Sequence, residues 1–326
     1  MISIQDTNID IEEVRSKIVG GGVIPVAINE NGDILLLLGK ERYISHWRGS
    51  LKWSGFEGGK KETESVEHIA AREFVEESMG VVALNESQTN CDIQDVLNII
   101  HEHKYFARII LCIHHTENNK VEKRFHITYV IQVPYQKQCN EKFANLRDSF
   151  IDFQIKLSQF QSLSEQLPSE YPFIQEDLII KGKKVKAVTD VTVVHNELVV
   201  TYLEEEGIQR ISKEVQQNET LSTYLRWFSC RTQLEEQLKI FEYIPDAITV
   251  EKNCLGFFVN AKLNEEYIEK QLVQWWKIED LKEVLSNGGY RQSDLFRAYF
   301  MPVLQRVVQE LDCYKHARNN DDNDKQ

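Results

Sequence analysis

The stretch Gly58–Gly80, GGKKETESVEHIAAREFVEESMG, constrains this chain more than any other. Ser65 is a favourable N-cap residue, and 66–79 holds neither proline nor glycine, which predicts a helix there. Gly80 suits the left-handed residue that closes a helix. Ala70, Ala71, Phe74 and Val75 group on one face and predict packing against a core. Glu73, Glu76 and Glu77 stand at i, i+3 and i+4 on another face. Three carboxylates within one turn repel each other by a few tenths of a kcal/mol per pair. A hard divalent cation relieves that repulsion, and oxygen ligands suit Mg²⁺ or Mn²⁺. For a bare E-x-x-E-E the competing reading is a solvated acidic face.

The wider spacing weighs against the solvated face. Gly58 is followed by Glu64 six places on and by Arg72 eight places later, and Arg72-Glu73-Phe74-Val75-Glu76-Glu77 follows at once. This pattern resembles the Nudix box: G, five residues, E, seven residues, R-E-apolar-x-E-E, one residue, G, apolar. One spacing departs, because both Ser78 and Met79 separate Glu77 from Gly80. Every proposed ligand lies upstream, so the extra residue is expected only to lengthen the helix end. The approach to the box, with Trp53 and Phe56-Glu57-Gly58-Gly59, is also similar to the family, although the common Pro is absent.

The resemblance implies an α+β fold, a Nudix α/β/α sandwich with a mixed sheet, here carrying a large α+β insertion. It implies metal-dependent hydrolysis of a nucleoside diphosphate linked to another moiety. Glu73, Glu76 and Glu77 would be the ligands of Mg²⁺ or Mn²⁺, with the Gly58 carbonyl beside them. Glu64 and Arg72 would form the ion pair that holds the loop against the helix. The general base would be a box glutamate or a Glu outside the box. Glu269 stands where decapping enzymes of this superfamily carry a functional Glu. The expected catalytic set is therefore Glu64, Arg72, Glu73, Glu76, Glu77 and Glu269.

Taken in order, 1–17 reads as a polar lead-in. Val19–Ile28 and Asp33–Gly39 read as a hairpin about the turn signal Asn29–Gly32. Asp95–Ile113 and Arg124–Tyr135 contain strand-like stretches, joined by a polar loop, His114–Lys123. The adjacent His114 and His115 point apart, which makes a shared metal role a poor fit. A helix over 140–163, a loop holding Pro168 and Pro172, a β-rich piece over 183–212, and a helix over 219–243 capped by Asn218 follow. Strand character resumes over 249–259. Glu269–Leu281 resembles the last Nudix strand, and Asp294–Leu311 reads as a closing helix that Pro302 should kink. These pieces divide as 18–135 plus 267–312 for the Nudix domain, 136–266 for an inserted subdomain, and 313–326 for a disordered tail.

A net charge of −13 over 326 residues argues against a broad nucleic-acid surface. Lys181, Lys183, Lys184 and Lys186 form one local basic cluster, either a groove or a lysine-blunted hairpin edge. The six cysteines are scattered and no C-x-x-C occurs, which favours a reducing, cytoplasmic setting without zinc. The first residues do not read as a leader, and no apolar run approaches the ~20 residues of a membrane span.

Substrate is the open point. The large insertion and the closing Trp275-Trp276 strand resemble cellular and large-DNA-virus mRNA-decapping enzymes, whose substrate is capped RNA. A methylated guanine wants an aromatic sandwich, for which Trp47, Trp53, Trp227 with Phe228, Trp275 and Trp276 are available. On a strand, Trp275 and Trp276 face opposite sides, so at most one lines a site. The alternatives are a small-nucleotide pyrophosphatase (nucleotide sugar, ADP-ribose, dinucleoside polyphosphate or nucleoside triphosphate) and a non-catalytic Nudix-fold binding module. The insertion also suits a protein partner.

Overall fold

The computed structural model describes residues 2–5, 11–117, 120–166, 178–180, 183–185, 187–194, 197–204, 207–214, 219–252, 258–286 and 294–323. The first compact unit comprises 1–148, 243–247 and 264–326. Its strands are β1 (Ile2–Gln5), β2 (Ile18–Ile28), β3 (Ile34–Glu41), β4 (Trp53–Ser54), β5 (Phe56–Gly59), β6 (Tyr105–Glu117), β7 (Lys120–Gln132) and a C-terminal strand, Lys270–Lys277. They form one sheet in the order β1-β6-β7-β2-β3, with Lys270–Lys277 beyond β3, β4 on β3 and β5 on β2. The β2–β7 pair is parallel and the other strand pairs described in this sheet are antiparallel, so the sheet is mixed.

β3 opens on Ile34-Leu35-Leu36-Leu37-Leu38, buried throughout, as suits a strand covered on both faces. β2 diverges from it. Val26–Ile28 pair with β3, whereas Gly20–Val23 pair with β5. That divergence makes room for the strand carrying Gly58 and Gly59.

The unit's helices are α1 (Ile11–Val14), α2 (Val66–Ser78) and α3 (Ile93–His101), then the start of α4 (Cys139–Gln166). α2 lies directly on β2, where a Cβ on Gly21 would stand 3.0 Å from the Val66 carbonyl oxygen. Side chains alternate along a strand, so Ile24 and Val26 face the other side. There they meet Ile278 and Leu281 of a helix over Ile278–Ser286, and Val303, Leu304 and Val307 of a final helix, Phe300–Asn323. Helix, sheet and helix form the α/β/α layering of an α+β fold.

Several local expectations are corrected. Strand begins at Tyr105, not in the nineties. Ile93–His101 is helical because Asp92 and Asp95 cap it reciprocally and because Val96, Leu97 and Ile100 are buried on one face. The polar loop expected at His114–Lys123 is mostly hairpin, with His114 opposite Lys123 and His115 opposite Glu122. Pro302 does not kink the last helix. That helix begins at Phe300, so Pro302 sits in its first turn, where a missing N–H breaks no bond. Cys313–Asn323 continues that helix where a disordered tail was expected, held by the Lys282–Asp312 and Lys315–Glu279 pairs and by Phe106 against Tyr314. Part of the lead-in is strand β1, paired with the edge of β6.

The second unit, 149–242 and 248–263, holds the rest of α4, helix α5 (Glu219–Leu238) and three small antiparallel sheets. These are β8 (Leu178–Ile180) with β9 (Lys183–Val185), β10 (Ala187–Val194) with β11 (Glu197–Glu204) and β12 (Gly207–Glu214), and β13 (Ile248–Lys252) with β14 (Phe258–Leu263). The C-terminal strand of the first unit is hereafter β15, and its helices over 278–286 and 300–323 are α6 and α7. Pro168, Pro172, Lys181, Lys186, Asn218 and the side chains of Lys183 and Lys184 lie outside the described residues. Among the described residues no helix is long and apolar enough to cross a membrane.

Candidate active site

Ser65 opens α2 in extended conformation and its hydroxyl accepts from the His68 N–H, a true N-cap. The helix runs unbroken through Glu73, Glu76 and Glu77 to Ser78. The extra residue is absorbed by a second left-handed position. Met79 (φ 53°) and Gly80 (φ 62°) both adopt that conformation, and their N–H groups close onto Glu76 and Val75. The helix therefore is not lengthened, and the spacing of its carboxylates is undisturbed.

Arg72 organises one end of the row. Its Nε and one terminal nitrogen meet Glu64 at 2.8 and 3.1 Å, a two-point contact that ties the preceding loop to the helix. The same terminal nitrogen donates to the Gly59 carbonyl at 2.9 Å, and the other reaches Glu73 Oε1 at 2.7 Å and Glu76 Oε2 at 2.8 Å. Lys61 lies 3.5 Å from Glu76 Oε1 and also pairs with Glu266. A Cβ on Gly58 would fall 2.2–2.3 Å from the Glu73 carboxylate, so any other residue there would displace that carboxylate.

Glu77 faces a different partner. Its Oε2 accepts from the Glu57 N–H at 2.7 Å, and its Oε1 lies 2.9 Å from Lys270 Nζ. Lys270 is fully buried. Its ammonium also donates to Glu41 Oε1 at 2.6 Å and Ser54 Oγ at 2.8 Å, so all three of its protons have acceptors. Burial pulls the Lys270 pKa down, but Glu77 and Glu41 outweigh it and hold it above the ordinary lysine range. Arg297 donates to the same Glu41 oxygen at 3.0 Å.

Burial raises the pKa of Glu73 against the pull of Arg72, and raises that of Glu76 to about 7. Glu269, just before β15, is raised by burial too, and stands near enough to push Glu73 further up. These carboxylates are short of positive charge. Among the described residues, Glu41, Glu57, Glu64, Glu73, Glu76, Glu77, Glu266 and Glu269 are met by Lys61, Arg72, Lys270, Arg297 and Arg42, with His68 near Glu64. Oxygen donors, excess negative charge and a glycine cleared for one of the carboxylates fit Mg²⁺ or Mn²⁺. Among the described residues, no three His, Cys, Asp or Glu side chains converge as a ligand set.

On the other side of Gly58 lies a pocket of about 190 Å³. Val19, Leu111 and Ile113 form an apolar wall, and Glu57, His126, Arg297 and Tyr299 supply polar groups. His126 is kept neutral by burial, and its Nδ1 makes no hydrogen bond. Arg297 lies 5.5 Å from the Trp47 ring and 5.8 Å from the Tyr299 ring, both substantially exposed.

Of the aromatic candidates, only Trp47 borders this region. Trp227 and Phe228 are 4% and 8% exposed and serve the second unit's core. There Trp227 stacks on Phe160, and its indole N–H donates to Ser164. They cannot form the expected sandwich without unpacking. Trp276 packs edge-on to Trp53 on the α7 side, and Trp275 faces away to the Gln136 carbonyl. Glu41, Lys270, Arg297 and His126 were not found from sequence. The one available signal was Lys270 beside the candidate Glu269, at the start of a strand.

No protein-family model matches the sequence, and no curated protein matches it. Among solved structures, a Nudix hydrolase from M. Smegmatis, RenU, matches at 12% identity and TM-score 0.25, over 37% of this chain and 63% of that one. A C. elegans Ap4A hydrolase binary complex matches at 15% identity and TM-score 0.22, over 36% and 67%. The match takes in less than two thirds of RenU.

Proposed function

We propose that this chain is a divalent-cation-dependent hydrolase of the Nudix type, cleaving the pyrophosphate of a nucleoside diphosphate linked to another moiety. The observation that carries the proposal is the Arg72 node. One guanidinium holds Glu64, the Gly59 carbonyl, Glu73 and Glu76, and so fixes the loop, the helix and two carboxylates as one rigid piece beside a pocket. Glu73 and Glu76, with the Gly58 carbonyl, would hold Mg²⁺ or Mn²⁺. Such an ion supplies Lewis-acid polarisation of a pyrophosphate oxygen and makes water easier to deprotonate. Glu269, close enough to act on Glu73, suits the proton acceptor, and burial raises its pKa and so makes it the stronger base. Lys61 and Arg297 offer positive charge to a polyanionic substrate at the two sides of the Gly58 loop.

Capped RNA is the particular substrate we put forward, with small nucleotides as the alternative. The exposed Trp47–Arg297–Tyr299 stack beside the pocket is the aromatic surface that supports it. The test is a product screen of the purified chain against capped RNA and a nucleotide panel, with and without Mg²⁺ or Mn²⁺. Release of methylated GDP is expected from capped RNA. Good turnover of a nucleotide sugar or triphosphate with intact capped RNA would remove decapping and keep the hydrolase. No cation-dependent turnover of any of them would favour a binding module.

A further inference from the structure

We infer that Lys270 is a resident cation for Glu77, so that Glu77 anchors β5 and the chain holds its divalent ion on Glu73 and Glu76 without it. This rests on the cation-dependent reading of the site and assigns the roles within it.

Glu77 has no oxygen to spare. One takes the Glu57 N–H at 2.7 Å and the other takes Lys270 at 2.9 Å. Glu73 and Glu76 are different: Glu73 meets Arg72 through Oε1, and beyond Arg72 the partners of Glu76 are the partly exposed Lys61, at 3.5 Å, and Glu266. Lys270 is also seated by design of the sheet. Its stem runs over Gly39 of β3, where an added Cβ would lie 2.9–3.0 Å from three of its carbons. Arg147 fixes the strand by donating to the Lys270 carbonyl at 3.0 Å. A glycine slot, full burial and three acceptors place one positive charge where Glu41 and Glu77 would otherwise repel. A lysine cannot leave such a seat without stranding Glu77 and leaving Glu41 to Arg297 alone among its cations, so it does the work there that a second metal ion would do.

The test counts ions rather than turnover. The full-length chain is titrated with Mn²⁺, with free ion followed by its spin-resonance signal, for the wild type, Glu77→Gln and Lys270→Met. We expect one Mn²⁺ per chain in the wild type, and one in Glu77→Gln with affinity within about threefold. We expect two in Lys270→Met, because Glu77 then loses its ion-pair partner and Glu41 keeps only Arg297 of its two; a purely structural lysine would not produce that gain. Two ions in the wild type with one lost in Glu77→Gln would overturn the inference alone. A single ion in a folded Lys270→Met would do the same. If that variant does not fold, the wild-type and Glu77→Gln counts decide. Absence of any Mn²⁺ binding by the wild type would instead overturn the cation-dependent reading, and the inference with it.

Discussion

The two ends of the carboxylate row on α2 are built differently. At one end Glu73 and Glu76 share a single arginine from their own helix, and Lys61 stands at a distance. At the other end Glu77 is sealed beneath a lysine from β15 and a second carboxylate from β3. Three identical side chains within one turn thus receive two environments. Position on a helix face puts a carboxylate in the neighbourhood of a metal. The counter-charge that meets it decides whether it is available. Burial raises the carboxylate pKa at both ends, that of Glu77 well above the ordinary range in spite of Lys270, so the ends differ in their partners and not in desolvation; where the counter-charge is shared and partly open, the carboxylate can still take a cation. Where the counter-charge is dedicated and buried, the pair is structural.

Breaking the sealed end should have the largest effect. Lys270→Ala leaves Glu41 and Glu77 buried with only Arg297 nearby, and stability should fall by ~3–5 kcal/mol. Urea denaturation measures it, and a loss under ~1 kcal/mol would show that the two ends do not differ in the way described. Breaking the open end should instead spare the fold. Glu76→Gln is expected to lower turnover by at least ~100-fold, equal to ~2.7 kcal/mol of transition-state stabilisation, with an unchanged melting curve. Near-normal activity of that variant in Mg²⁺ would remove Glu76 from the site.

Two smaller changes sharpen the contrast. Gly39→Ala crowds the Lys270 stem and should cost ~1–3 kcal/mol. The same substitution should leave Mn²⁺ affinity at Glu73 and Glu76 unaltered, which calorimetry can check. Ser65→Ala removes the N-cap bond to His68 and should cost ~1 kcal/mol, with fraying limited to the first turn of α2. Hydrogen exchange at the amides of Glu67 and His68 reports it, and exchange spreading to Glu73 would show the carboxylates to be less firmly held than Arg72 implies.

The open end was legible in the sequence because its helical core lies within twenty residues, although Glu266 and Glu269 join it from far along the chain. Glu64, Arg72, Glu73 and Glu76 meet through helical spacing and one short loop, and the N-cap and left-handed closure are read from residue type alone. The sealed end was not legible. Lys270 and Glu41 are 229 positions apart, and Arg297 is 256 positions from Glu41, so no local period records their meeting. The sheet was recovered where apolar runs were long, as in β3. It was missed where polar residues pair across a hairpin, as at His114 and His115. Trp227 shows the opposite error. Two adjacent aromatics, Trp227 and Phe228, on a predicted helix suggest a ligand sandwich, but Arg231 stacks on the Trp227 ring within the core. The apolar residues of α3 are β-branched or aliphatic, so the sequence from Asp95 reads as strand-like, although the Asp92–Asp95 capping pair marks a helix start.

The pairing of β15 with β3 also sets a timetable for synthesis. Ile34–Leu38 leaves the ribosome long before Trp275 and Trp276, which end up beside them. With 229 residues between Glu41 and Lys270, translation at roughly 5–20 residues per second imposes a delay of about 10–45 s. Throughout that interval the nascent chain carries an apolar strand edge without its neighbour, the kind of edge that recruits other strands. It also carries Glu77 and Glu41 without their lysine. A chain interrupted anywhere in the insertion is therefore inert and adhesive, and chaperone occupancy of nascent chains should peak while 42–269 are being made and fall once 270–277 emerge.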